Sequence, residues 1–266
     1  MSGDCHDNDP RFVEYYASES ATATAVERSI GIMRAVLRVR AGFGDNVNDL
    51  LVGDIGCNAG TQSRCWLSEG HRVRGVDISR DLIALARQRN ADFESRARFD
   101  VGSATSLPWD SAQFDVCLLP ELLEHVDDWR SCLAESIRVL KPGGTLFVST
   151  TNVLSPRQQE FTLPLYSWYP SWMKKICVRK ALTDAPQLAN FATYPAVHWF
   201  SPYSIRKFLS EHDVDGFDRF DVVDMSGRGA LTRALLASVK ALPVLRFIGH
   251  VLTPATIIIG RKRTAT

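Results

Sequence analysis

The sequence predicts an α/β protein built on one mostly parallel sheet. Three observations carry that expectation. Short apolar runs alternate with helical patterns from residue 50 to 150, a glycine-bearing turn joins the first run to the helix after it, and an acidic residue closes the second run. A chain of 266 residues suits one large domain. Its expected parts are an N-terminal helix at 18–44, a ligand-binding core at 45–150, an aromatic-rich insertion or lid at 152–200, and a C-terminal part of the sheet at 201–263 that includes a helix at 231–252.

Each element follows in chain order. Residues 1–10 carry no period and are expected to be mobile. From Ser18 to Arg40 the pattern is helical: Val26, Ile30, Met33 and Leu37 recur at steps of four, three and four and line one face. Gly42 and Gly44 end it. Leu50–Ile55 is a short apolar strand, Gly56–Gly60 a turn, Thr61–Glu69 a helix and His71–Ile78 a second strand. Ser79 is placed to cap the helix that opens at Asp81. Ala97–Val101 and Phe114–Leu119 supply the third and fourth strands. Trp129–Leu140 is helical, stopped by Lys141-Pro142-Gly143-Gly144, and Thr145–Thr150 is the fifth strand.

Residues 152–200 break this rhythm. They hold Trp168, Trp172 and Trp199 with Tyr166, Tyr169, Tyr194 and several prolines, as expected of an insertion covering one edge of a sheet. Beyond them, Pro202–His212 reads as a helix, Phe217–Val223 as a strand, Leu231–Leu252 as a helix broken near Pro243, and Ala255–Gly260 as the last strand.

Composition excludes several classes. Hydrophobic residues at 45% and charged residues at 23% rule out a wholly disordered, collagen-like or multi-span membrane chain. The 31 Lys+Arg nearly cancel the 30 Asp+Glu, so no broad polyanion-binding surface and no nucleic-acid partner is expected. Cysteines at 5, 57, 65, 117, 132 and 177 form no C-x-x-C pair and read as reduced, cytoplasmic core filler. The polar, acidic first twenty residues do not look like a signal peptide, and no 18-residue apolar run occurs.

The most informative stretch is Asp54-Ile55-Gly56-Cys57-Asn58-Ala59-Gly60. A strand ends, the chain turns on small residues and a helix begins, which leaves backbone N–H groups open to a ligand. Asn58 tolerates the positive φ that such a turn asks for. Asp77 ends the second strand, where an acidic side chain can accept both hydroxyls of a ribose. Turn and carboxylate together point to a nucleoside-containing cofactor. The spacing Gly56-x-x-x-Gly60 departs from the G-x-G-x-x-G of dinucleotide binders, which disfavours an NAD(P)-dependent oxidoreductase.

This combination resembles the class I S-adenosylmethionine (SAM) dependent methyltransferases, in the branch of the ubiquinone-biosynthesis-type O-methyltransferases. The stretches that carry the likeness are Asp54–Gly60, Gly102–Trp109, Glu121–Val126 and Arg138–Gly144. It is close over 45–150 and looser over 200–263. It implies a Rossmann-like, doubly wound seven-stranded sheet, mostly parallel with an antiparallel last strand, in a three-layer sandwich. It implies SAM as cofactor and S-adenosylhomocysteine as product.

Carried over by residue, Asp54, Gly56 and Gly60, with Cys57 and Asn58 between them, would contact or make room for the amino-acid end of SAM. Asp77 would hold the ribose, Ile78 would lie on the adenine, Ser103 and Ala104 would edge it, and Leu119 would face the sulfonium. Many relatives have an aspartate where Ser103 stands, so that adenine contact needs a hydroxyl or backbone substitute.

His125 and Glu121 are the candidate catalytic residues, His125 as general base or orienting group. Some methyltransferases with this pattern bind a divalent ion. Glu121, Glu124, His125 and the later His198 are the set that would do so here, for Mg²⁺ or Zn²⁺, although the favoured reading is metal-free. The acceptor is expected to be a small or lipid-like molecule methylated at oxygen. N- or C-methylation and a non-catalytic SAM-binding protein are the alternatives. The 152–200 insertion and the helix bearing Leu231, Leu235, Val239 and Leu242 are either core packing or substrate walls. With Arg233 and Lys240 opposite, that helix also suits a peripheral contact with a membrane surface, and Lys174, Lys175, Arg179 and Lys180 suit an acidic headgroup.

Overall fold

A computed structural model describes residues 22–190, 192 and 194–264. The segment expected to be mobile at 1–10 and the first residues of the helix expected from Ser18 lie outside the described residues. The elements are α1 (Ala23–Gly42), β1 (Leu51–Ile55), α2 (Thr61–Ser68), β2 (Arg72–Asp77), α3 (Arg80–Arg89), β3 (Ala97–Val101), β4 (Phe114–Pro120), α4 (Trp129–Val139) and β5 (Leu140–Thr151). They continue with α5 (Ser171–Thr183), α6 (Pro202–Glu211), β6 (Val214–Asp218), α7 (Ala230–Ala241), α8 (Pro243–Val251) and β7 (Ala255–Lys262).

The seven strands take the order β3-β2-β1-β4-β5-β7-β6. β1 pairs in parallel with β2, from Leu51 opposite Arg72 to Ile55 opposite Val76, and with β4, where Gly53 faces Cys117. β2 pairs in parallel with β3. The sheet is mostly parallel with antiparallel last strands and has helices around it, which bears out the expected fold class. The strand order steps outward in both directions from β1 and β4. That reversal is the crevice at which open α/β sheets bind ligands, outside the carboxyl ends of the strands.

The described residues group into two compact units. One takes in 22–120, 128–147 and 261–264, the other 121–127 and 148–260. In the first unit, Thr22 caps α1 by accepting from the Ala25 N–H at 3.2 Å. The buried face of α1 is Ser29, Met33, Val36 and Arg40, rotated from the apolar stripe that the sequence suggests. Arg40 is the reason. Its guanidinium turns inward and donates to the carbonyls of Asn46 (2.8 Å) and Asp115 (2.9 Å) and to the Thr145 hydroxyl (3.2 Å). A buried guanidinium needs such partners, and here they outweigh the pull of Ile30 and Leu37 toward the core. The Ser79 cap forms as expected, its hydroxyl accepting from Leu82 N–H.

Three expectations are corrected. β5 begins at Leu140, so the chain passes straight from helix to strand through Pro142 and Gly143, residues that read as a stop. β6 is Val214–Asp218 rather than Phe217–Val223. Asp218 ends it by taking the Phe220 N–H onto its own carboxylate, while Asp221 accepts the Asp218 N–H; this turn chemistry overrides the apolar pattern that follows. Within 152–200 lies a 13-residue helix, α5, that the sequence pattern did not reveal. Its Cys177, Val178 and Ala181 join a small core around Phe161, Tyr166 and Ala189.

Candidate functional site

In the first unit, β1 delivers Asp54 to the mouth of the turn. Gly56 has φ +73°, Asn58 φ +51° and Gly60 φ +79°, so three of five consecutive residues adopt the left-handed region. Asn58 is tolerated there because its short amide bonds locally: Oδ1 accepts from the Ala59 N–H at 2.7 Å. The N–H groups of Gly56 and Cys57 are spent on the Val76 carbonyl, which ties the turn to β2. Asp77 adds a second tie. Its Oδ2 accepts from Asn58 N–H at 2.9 Å and its Oδ1 from Ser79 N–H at 3.0 Å. One carboxylate therefore fixes both the turn and the next helix cap, and each of its oxygens keeps lone-pair capacity for a hydroxyl.

The predicted cofactor residues do not all meet in one way. Asp54 is wholly buried; Ser63 Oγ donates to its Oδ2 at 2.6 Å, while Oδ1 has no hydrogen-bond partner among the described residues. Burial raises its pKa to about 6, against the Ser63 hydrogen bond that lowers it. Cys57 sits in the core with Ile83, Ala86 and Phe99, where burial drives the pKa of its thiol well up, and the thiol donates within the turn to the Asn58 carbonyl at 3.8 Å. Gly60 is small for a packing reason, since a Cβ there would stand 2.6 Å from Asn90 Nδ2 and 3.1 Å from Ala86 Cβ. Leu119 is also fully buried in β4. Ile78, by contrast, is 64% exposed at the end of β2, an apolar surface fit for a flat ring. Ser103 is partly buried, and its hydroxyl is shared with Thr105 Oγ1 at 2.8 Å, a local turn. Ser63 was missed by sequence reading; the only signal was a hydroxyl three residues into a short helix.

The second unit holds the acid–base cluster. Glu121 has φ +52°, a strained position for a non-glycine residue, held by its N–H donating to the Ser149 carbonyl at 2.8 Å. Glu124 is buried and accepts from Thr150 Oγ1 at 2.7 Å. Burial lifts its pKa to about 8, and the charges of Glu160 and Glu121 push the same way. Glu160, which sequence reading did not single out, is partly buried, with its pKa raised to about 7 by burial and then by Glu121. Burial lowers the pKa of His125, outweighing backbone groups of Tyr194 and Pro195 that favour the cation, and its Nδ1 has no hydrogen-bond partner among the described residues. A neutral imidazole with an unpartnered ring nitrogen can receive a proton.

His198 stands apart from that task. Its Nε2 lies 2.9 Å from the Asp127 carbonyl, and its N–H meets the Glu124 carbonyl at 3.2 Å. Among the described residues, no three His, Cys, Asp or Glu side chains form a set that could hold a metal ion. The Glu121–Glu124–His125–His198 ligand set is therefore not assembled.

Much of the 152–200 segment is its own core. Tyr166 is buried and stacks on Phe161 with centroids 4.0 Å apart, and Lys174 lies 4.6 Å over Trp199. Lys174 donates to the Ser167 carbonyl, and burial lowers its pKa to about 8, so it is not an open headgroup contact. Trp168 and Trp172 remain exposed.

Comparison with known proteins agrees with the turn. Residues 53–148 match the family model of a methyltransferase domain. The chain is 36% identical over 121 residues to a ubiquinone biosynthesis O-methyltransferase of Idiomarina loihiensis, covering 43% of this chain and 49% of that one. It is 29% identical over 142 residues to a malonyl-[acyl-carrier protein] O-methyltransferase of Serratia marcescens, covering 50% and 53%. The chain spans about half the length of the curated relatives it matches. Among solved structures, a SAM-dependent methyltransferase from Mesorhizobium loti aligns with a TM-score of 0.56 at 17% identity, over 86% of this chain and 98% of that one. The phosphoethanolamine N-methyltransferase 2 of Haemonchus contortus, solved with SAM, aligns at 0.54 and 16%, over 97% and 61%. These likenesses bear out the methyltransferase resemblance for the core and the fold class for the sheet.

Proposed function

We propose that this chain is a SAM-dependent methyltransferase that moves a methyl group to the oxygen of a small or lipid-like acceptor. The observation that carries the reading is the β1–α2 turn. Its left-handed Gly56 and Asn58, tied down by Asp77, lie within the segment that matches a methyltransferase domain. The residues fit the group. Asp77 has lone pairs for the ribose hydroxyls, Ile78 offers an open apolar surface for the adenine, and the orphaned Asp54 Oδ1 accepts one further donor. SAM supplies an electrophilic methyl on a sulfonium. The chain's part is to align the acceptor for in-line displacement and to exclude water.

An acceptor hydroxyl must also lose its proton. His125, kept neutral by burial, receives it at Nδ1, and Glu121 orients the acceptor. The named O-methyltransferase relatives support oxygen as the nucleophile. A cytoplasmic setting is supported by the free Cys57, Cys117 and Cys132 thiols.

The test is incubation with SAM carrying a labelled methyl and a panel of phenolic, carboxylic and amine acceptors of graded lipophilicity. Label transferred to a phenolic or carboxylic oxygen supports the reading. Transfer to nitrogen alone corrects the nucleophile. SAM binding without transfer to any of them contradicts the enzymatic reading.

A further inference from the structure

α8 is an amphipathic helix built inside out. Its inward stripe is polar: Arg246 and His250, one turn apart, both reach Asp218. Arg246 Nη2 lies 2.7 Å and His250 Nε2 3.0 Å from Asp218 Oδ2, and Arg246 also pairs with Asp221. Asp218 is buried, and burial alone would raise its pKa. The hydrogen bonds from His250 and Arg246 outweigh that and hold it at about 2, so the anchor is an ionic one at neutral pH. Asn152 Nδ2 adds bonds to the carbonyls of His250 and Thr253. The phenyl ring of Phe220 meets His250 edge-on at 4.9 Å.

The outward face is the apolar one. Val244 and Leu252 are each 70% exposed, and Phe247 and Ile248 lie exposed between them. α7 continues the theme, with no buried residue, Leu231 at 86% exposure and Leu235 at 62%. Leu242, exposed as well, joins the two helices. A water-facing helix does not keep seven large apolar side chains in solvent unless something apolar covers them.

We propose that the α7–α8 hairpin docks this chain on the surface of an anionic lipid bilayer. Charge selects that occupant. From Met225 to the end of the sequence there is no Asp or Glu, while Arg228 precedes α7 and Arg233 and Lys240 lie on the side of α7 opposite Leu231 and Leu235, where they can reach headgroups around a half-sunk helix. Apolar side chains with basic neighbours match acyl chains beneath anionic headgroups. A second copy of the chain fits less well, because two copies of a segment that carries cations and no Asp or Glu repel each other.

Geometry sets the mode. Twelve residues of α7 rise about 18 Å and nine of α8 about 14 Å, against a hydrocarbon core of about 30 Å. The two helices meet at 105°, and no single described helix is long and apolar enough to cross a membrane. With Arg246 and His250 fixed to Asp218, the hairpin lies in the interface and does not span. This inference rests on surface chemistry and stands apart from the proposed methyl transfer.

The test is co-sedimentation of the full chain with vesicles of equal phosphatidylglycerol and phosphatidylcholine, beside vesicles of phosphatidylcholine alone. The wild type is expected to bind the anionic vesicles at least about tenfold more strongly, with binding weakened by salt. The double variant Leu231→Glu/Leu235→Glu should lose at least about tenfold in partitioning. Both positions are exposed, so its melting temperature should match wild type. No binding to anionic vesicles overturns the proposal. So does equal binding to both vesicle types, or a double variant that partitions like wild type. Sedimentation velocity that shows a dimer abolished by the same variant, without vesicle binding, assigns the face to a second copy instead.

Discussion

The Asp54–Gly60 turn and the α7–α8 hairpin rest on opposite relations between sequence and environment. In the turn, the property that matters is backbone conformation, and residue type governs it directly: Gly56, Asn58 and Gly60 are residues that accept positive φ. In the hairpin the property that matters is which side of a helix meets water. The period of Leu231, Leu235, Val239 and Leu242 marks a face but does not say where it points. In α8 the outward direction of Val244, Phe247 and Ile248 goes with Asp218, an element away, which draws Arg246 and His250 inward. Rules that act within a few residues can be read from sequence; orientation imposed by a distant buried charge cannot.

The largest effect is expected from Gly56→Val. A β-branched residue at φ +73° is strained, so the turn cannot keep its shape. S-adenosylhomocysteine affinity should fall by at least about a hundredfold, while far-ultraviolet circular dichroism keeps the wild-type spectrum; normal binding would remove Gly56 from the ligand face. His125→Gln should lower turnover by about a hundredfold with S-adenosylhomocysteine affinity nearly unchanged, read by steady-state kinetics and calorimetry. Asp77→Ala removes a charged acceptor of two hydroxyls and also frees the Asn58 N–H. It should weaken S-adenosylhomocysteine by about 1–3 kcal/mol, again by calorimetry.

A fourth effect concerns pH. Glu124, Glu160 and Asp54 have folded pKa values raised to about 8, about 7 and about 6, so the folded state holds protons that the unfolded chain has released. Their stabilising contribution is complete below about pH 4 and is lost as pH rises through these values. Denaturant titration should show the folded state weakening steadily from pH 5 to pH 8.5. Glu124→Gln should flatten that slope, and an unchanged slope would mean that Glu124 is ionised in the folded protein. The smallest effect is expected in the hairpin, where Leu235→Glu should change folding stability by less than about 0.5 kcal/mol. A loss of several kcal/mol would show that this face is covered within the chain itself.

Most strand positions in the first unit were legible because βαβ alternation marks each with an apolar run and a capping residue, as Ser79 does for α3. The misses have two causes, partners supplied from elsewhere in the fold and turn chemistry hidden under an apolar pattern. Arg40 rotates α1 because the Asp115 carbonyl and Thr145 receive it. β6 shifts because Asp218 closes it with a turn. At the site, Asp77 and the turn were legible from spacing. That Cys57 sits in the core, that Gly60 is small for the sake of Asn90, and that Glu160 titrates near neutrality depend on packing that no local pattern encodes.

The central claim is that the Gly56–Gly60 turn and Asp77 form a SAM site. Isothermal calorimetry of the full chain with S-adenosylhomocysteine and, separately, with NAD tests it most directly. The expected result is micromolar binding of S-adenosylhomocysteine, weakened in Asp77→Ala, and no measurable binding of NAD. Tight NAD binding with none of S-adenosylhomocysteine would contradict it.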